Sequence, residues 1–196
     1  MDLTLTTPPA VTPVSLAEAK AHLRVTHTDD DAYITALIDA ATRHLDGRHG
    51  TLNRALITQS WKLKIDRFPV FCGHEGWPYA IELPFPPLLS VASVKYLDPN
   101  GAEQTLANTE YTVETSQFVG RILIGYGKSW PAIQCVPGAV RIDFTAGFGP
   151  ASTDVPMPIR QAMLMFIAHL YEIRSIDADM PRAIDALVAP YRLRKI

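Results

Sequence analysis

The hydrophobic period of this chain changes twice, and that change limits the available folds more than any other feature. Between residues 15 and 45 the apolar side chains recur at helical spacing. From Leu56 they alternate, and beyond Pro158 the helical spacing returns. Helical spacing gathers side chains on one stripe, whereas alternation sends successive side chains to opposite faces, so neither stretch can exchange roles with the other. The order is helices, sheet, helices. Helical ends that flank a β block come together, so the expected fold is α+β: a small helical bundle formed by the N- and C-terminal helices (residues 15–55 and 151–196), with an inserted antiparallel β region at residues 56–150.

The helix ends are marked. Ser15-Leu-Ala-Glu18 reads as a capping box opening a short helix to about Arg24. A second start follows at Thr28, where Asp29, Asp30 and Asp31 suit the positive end of a helix dipole. Ile34, Leu37, Ile38, Ala41 and Leu45 form its apolar side, and Gly47 or Gly50 ends it. Residues 1–14 are rich in threonine and proline and read as an extended N-terminal arm with little core of its own, of the kind that reaches a neighbour.

In the β region, Ile57, Trp61, Leu63 and Ile65 fall on one side, and Thr58, Ser60, Lys62, Lys64 and Asp66 on the other. Further strand-like runs are Tyr79 to Leu83, Val91 to Leu97, Tyr111 to Thr115, Arg121 to Ile124 and Val140 to Thr145. With turn formers such as Asp98-Pro-Asn-Gly101 between them, they predict an antiparallel meander of five to seven strands. The loop from Pro69 to Pro78 reads as irregular.

The most apolar run is Pro158-IRQAMLMFIAHLYEI-Arg174. A bilayer needs about 20 uninterrupted apolar residues, and Arg160 and Glu172 bracket too few, so no membrane span is expected. Pro158 suits a first helical turn, and Asp154 is placed to cap it. Ala162, Met163, Phe166, Leu170 and Ile173 make a stripe expected in the core. The opposite face mixes Arg160, Gln161, His169 and Glu172 with Leu164, Met165, Ala168 and Tyr171. Such surplus apolar surface suits contact with another domain or subunit, methionine supplying adaptable packing; cover by the chain itself is the alternative. A last helix starts at Pro181, carries Ala183, Ile184, Leu187 and Val188, and stops by Pro190. Beyond it lies a basic tail, Arg192-Leu-Arg194-Lys195, whose charge either solvates the chain end or docks in an acidic groove.

Little in the sequence demands catalysis. Eighteen basic and twenty acidic residues leave a formal charge of −2, with no electrostatic footprint for gripping a duplex. Two cysteines, Cys72 and Cys135, are too few for a disulfide framework and read as free thiols of a reducing compartment. The N-terminus lacks the basic-then-apolar pattern of a secretory signal. Gly127-Lys128-Ser129 is similar to the end of a phosphate-binding loop, but Trp130-Pro131 stands where the helix should begin. An enzyme would have to draw on His22, His27 and Asp30, or on His169 and Glu172. Capping explains the aspartates, and a packed helical interface explains His169. Cys72-Gly-His74 offers a thiol without an identifiable base. No cofactor and no metal is expected.

Several stretches together resemble one family. Pro13-Val-Ser-Leu-Ala-Glu-Ala-Lys20, His22-Leu-Arg24 and Asp30-Asp31 ahead of Ile34, Leu37-Ile38 and Ala40-Ala41 resemble the N-terminal signature of the head-to-tail connector (adaptor) proteins of long-tailed phages and gene transfer agents. Phe144-Thr-Ala-Gly-Phe-Gly149, Val155-Pro156, Arg160-Gln-Ala162, Ala168-His169, Tyr171-Glu172 and the stretch from Pro181 to Arg192 resemble the remainder, in order along the chain. The resemblance implies a structural virion protein and not an enzyme. Its copies would form a homo-oligomeric ring, typically of twelve, beneath the portal protein, extending the DNA channel and receiving the next tail-side connector or stopper. DNA would pass without sequence-specific binding. The protein would reside at the head-tail junction of the virion, and in the host cytoplasm before assembly. Tyr191, Arg192, Leu193, Arg194 and Lys195 would then dock on the portal. Leu164, Met165, Ala168 and Tyr171 would meet a neighbouring subunit.

Overall fold

The structure is a computed structural model and describes residues 1–69, 80–116, 118–173 and 180–193. In chain order these form β1 (Asp2–Thr7), α1 (Leu16–Leu23), α2 (Asp31–Leu45), β2 (Gln59–Ile65), β3 (Ala80–Glu82), β4 (Leu88–Leu97), β5 (Glu103–Thr105), β6 (Tyr111–Glu114), β7 (Arg121–Ile124), β8 (Val140–Ala146), α3 (Met157–Ile173) and α4 (Arg182–Val188). The fold is α+β. Its contacts separate two compact units: a β unit of residues 1–8 and 59–147, and a helical unit of residues 9–58 and 148–196.

In the helical unit, α1 begins where the sequence says it should. The Ser15 side chain accepts from the Glu18 amide, and the Glu18 carboxylate accepts from the Ser15 amide at 2.9 Å. Arg24 closes the helix in the left-handed conformation, φ 58°. On α2, Ile34, Ile38, Ala41 and Leu45 are buried, as their spacing predicts, while Leu37 packs at the margin. They join Val14, Ala19, Leu52, Leu56 and Ile57 with Val155, Ile159, Ala162, Met163, Phe166 and Ile167 in one core. Burial on this scale removes a few kcal/mol of apolar exposure per large side chain, about 1.5–3 kcal/mol each. Ile184 and Val188 of α4 complete it.

The α3 stripe is rotated from the expected one. Ala162, Met163 and Phe166 are buried, but Ile159 and Ile167 are the further core members, and Ile173 is 48% exposed. At 100° per residue a stripe read from one end drifts by the other, so the last turn leaves the core. Asp154 does not cap α3. Its carboxylate accepts from the Ala151 amide at 2.8 Å, within the tight turn at Ser152–Asp154 that precedes the helix.

In the β unit all strand pairs are antiparallel, but the arrangement is not a simple meander. A five-stranded sheet runs β1-β2-β8-β4-β5, and a three-stranded sheet runs β3-β7-β6. β8 lies between β2 and β4, pairing Phe144 with Trp61 and Ile142 with Leu63 on one side and with Val91 and Val94 on the other. Leu63, Val94, Val140, Ile142 and Phe144 are buried, while the alternate positions carry polar groups. Gly120, just before β7, approaches β4 closely: a Cβ there would lie 2.3 Å from Leu88 Cβ. The N-terminal residues also depart from expectation. Asp2–Thr7 are extended but paired with β2 along its length, so the first element is a strand and the helices do not begin the chain.

Candidate docking surfaces

Three surfaces hold the residues singled out in the sequence. The first is the outer face of α3. Met157 (66% exposed), Gln161 and Glu172 are exposed there, and Leu164, Met165, Ala168 and Tyr171 are half-buried. Leu164, Met165 and Tyr171 touch the margin of the helical core without entering it. Tyr171 is tied down: its hydroxyl donates to the Asp30 carboxylate at 2.5 Å, and its ring lies 5.9 Å from that of Tyr33.

That bond overturns the capping role expected for the aspartates. Asp30 occupies the N-cap position of α2, yet its side chain makes no capping bond, and Asp31 pairs with Lys20 on α1. The carboxylates fasten α2 to α3 and α1. Arg160 ties α3 to the start of α1, donating to Glu18 and to the Pro13 carbonyl. Glu18 is consequently held below the usual carboxylate range, chiefly by the Ser15 amide, with the Ser15 hydroxyl and Arg160 adding to it against the opposing effect of burial. Of the side chains an enzyme would need, His27 lies 3.9 Å from Asp30 and 4.0 Å from Asp29, and His22 is exposed on α1. His169 is half-buried and Glu172 exposed on α3. Among the described residues no three His, Cys, Asp or Glu side chains gather as a metal would require. Cys72 and His74 lie outside the described residues; Cys135 is exposed as a free thiol.

The second surface is the polar face of the five-stranded sheet. Lys64, Arg141 and Lys95 stand directly opposite one another across β2, β8 and β4. Like charges so placed repel, and carboxylates offset them: Asp2 lies 3.8 Å from Lys64, while Glu103 accepts from Arg141 at 2.6 Å and Lys95 at 3.2 Å. Lys62 lies 3.4 Å from Asp143. Each cation faces a carboxylate of its own chain. Gly127-Lys128-Ser129 sits elsewhere in the β unit, at a turn after β7. Gly127 has φ 71°, Lys128 bonds Glu110 at 3.0 Å and no helix follows, so no phosphate cradle forms.

The third surface is the C-terminal segment. After α4 the chain makes a tight turn at Ala189–Tyr191 and lies against residues 52–54. The Leu193 amide donates to the Leu52 carbonyl at 3.0 Å, and Asn53 Nδ2 donates to the Leu193 carbonyl at 3.1 Å. Arg54 Nε donates to the Tyr191 carbonyl, and Arg192 bonds Asp185 at 2.5 Å. Arg54 is 6% exposed, and burial lowers its guanidinium pKa. Sequence reading missed Asn53 and Arg54; the available hint was a lone arginine running into Ala55-Leu56-Ile57. Arg194 and Lys195 lie outside the described residues.

Among the described residues no helix is long and apolar enough to cross a membrane. Known proteins supply the rest. The family model for phage gp6-like head-tail connector proteins matches residues 13–95. Along its whole length the chain is similar to a chain in the neck of an empty gene transfer agent particle computed with C6 symmetry (27% identity, 100% of this chain and 97% of that one, TM-score 0.80). It is similar over the same shares to a chain of the native gene transfer agent virion (27% identity, TM-score 0.76) and to one in the native neck computed with C12 symmetry (26% identity, TM-score 0.71). No curated protein matches it. Together these likenesses support a head-tail connector protein of phages or gene transfer agents.

Proposed function

We propose that this chain is a structural subunit of the head-tail junction of a phage or gene-transfer-agent particle, a helical body with an inserted β unit. Its copies form a ring, of twelve by the C12 precedent, beneath the portal. The ring extends the DNA channel and receives the next tail-side protein, and no catalytic centre is involved. The observation that carries this reading is the full-length likeness to chains of particle necks, at 27% identity and a TM-score of 0.80.

Two surfaces support it. A ring subunit must bury surface on two flanks, and the outer face of α3, with Met157, Leu164, Met165 and Ala168, offers apolar area beyond what the helical core consumes. The sheet's cations are held by carboxylates of the same chain, so they offer passing phosphates little net charge. That suits a conduit through which DNA slides. The C-terminal end of the chain faces the portal.

The purified protein, mixed with the portal protein of its own particle, should give rings by negative-stain microscopy and native mass spectrometry. A chain that stays monomeric under those conditions, and is absent from purified particles, would refute the reading.

A further inference from the structure

Strand β1 is separated in sequence from the rest of the unit it belongs to. The β unit takes residues 1–8 and 59–147, so the chain leaves it after Pro8, passes through the helical unit and returns at Gln59. β1 stands at the end of the five-stranded sheet and pairs with β2 alone, from Asp2 opposite Lys64 to Thr7 opposite Ser60. It is held by that backbone pairing and by one surface ion pair, Asp2 with Lys64 at 3.8 Å. None of its six side chains is buried; Leu3 is half-buried and Leu5 is 40% exposed. The residues opposite those two leucines, Leu63 and Trp61, belong to the core. The edge of β2 thus needs a strand upon it, while the strand itself is anchored lightly.

The stretch after β1 has the properties of a hinge. Among the described residues, Pro9, Ala10 and Val11 have no hydrogen-bond partner. The chain is next fixed at Pro13 and Val14, where Arg160 donates to the Pro13 carbonyl at 3.3 Å and Val14 is fully buried. Pro8, Pro9 and Pro13 favour an extended course, yet the chain bends at Ala10 and Val11. Straightened, the five residues from Pro8 to Thr12 reach up to about 17 Å.

We propose that β1 is exchanged between copies of this chain, the β1 of one copy pairing with the β2 of the next in the register that joins them within a single chain. The inference rests on the ring reading and supplies a bond between neighbours in that ring. A second copy brings the same six residues to the same edge, so every pair is replaced by an identical one and the exchange costs little. Passed in one direction from copy to copy it is a head-to-tail contact, and such contacts close into rings. An open sheet edge invites pairing with any strand; the free chain avoids that by covering β2 with its own β1 until a neighbour arrives.

Cross-linking tests the exchange in chains whose Cys72 and Cys135 are replaced by serine. Thr4 and Lys62 are partners across the β1–β2 pair, with Cα atoms about 4.5–5.5 Å apart, within reach of a short bismaleimide. Chains carrying only Thr4→Cys are mixed with chains carrying only Lys62→Cys, assembled with the portal protein and treated with the reagent. Peptide mapping should find residue 4 linked to residue 62, a bond that in this mixture can only join two chains. Native mass spectrometry of the same sample counts the rings. Rings without the mixed link overturn the exchange and leave the ring reading standing. The mixed link without rings upholds the exchange and refutes the ring reading, and the absence of both overturns the two together. In a second arm, a chain carrying both substitutions is linked within itself as a dispersed monomer before the portal protein is added. This locked chain should lose ring formation, whereas the same chain left unlinked should keep it. Rings formed equally well by the locked chain overturn the exchange.

Discussion

Replacing Met163 and Met165 with alanine makes the same chemical change two residues apart on α3, with opposite expected consequences. Met163 is fully buried among the helices, whereas Met165 lies half-buried at the core's margin. Met163→Ala removes three buried heavy atoms, about 0.8 kcal/mol each, and leaves a cavity whose walls collapse only in part. A total of about 3 kcal/mol follows, inside the 2–5 kcal/mol typical of such truncations. For a chain of this size the melting temperature should fall by about 6–12 °C. Met165→Ala should cost no more than about 1 kcal/mol, because its outer side already faces water, yet it should weaken assembly. Thermal melts by circular dichroism give the first quantity, and native mass spectrometry of ring formation gives the second. Equal loss of stability in the two variants would refute the reasoning, since the outer face of α3 would then be core and not spare surface.

Three further outcomes are expected. Glu18 is held below its ordinary value of 4.5 by its bonds to Ser15 and Arg160. A depressed carboxylate contributes stability that is complete above its unfolded value and is lost as pH falls through the folded one. Urea titrations should therefore show Glu18→Gln less stable than wild type near neutral pH, with the gap closing well below pH 4.5. Tyr171→Phe removes the donor to Asp30 and should cost about 1–2 kcal/mol in chemical denaturation; no change would mean that water replaces the hydroxyl without loss. Gly120→Ala drives a Cβ to 2.3 Å from Leu88 Cβ and should cost about 1–3 kcal/mol through overpacking, with a lowered denaturation midpoint as the readout.

The cap at Ser15-Glu18, the α2 stripe and the alternation in β2 were legible because each is a local contest. One residue's side chain satisfies a backbone three positions away, or one face of an element is greasy and the other is not. The family resemblance was legible for the same reason, being an ordered set of such local features. The α3 stripe was read only in part, since two candidate stripes overlap on a helix apolar on most sides and the neighbours decide between them.

The sequence by itself determined the helices and most of the strands, though not β1 or β5, and where several of them start. Tertiary structure alone decided that β8 lies between β2 and β4, that residues 2–7 join the sheet, that Asp30 serves Tyr171 and not its own helix, and that Arg54 grips a segment 137 residues away. The physical reason is common to all four. Pairings between backbone groups, and between single polar side chains far apart in the chain, leave no period in the sequence, because every residue carries the same amide and carbonyl and only the folded path brings particular ones together.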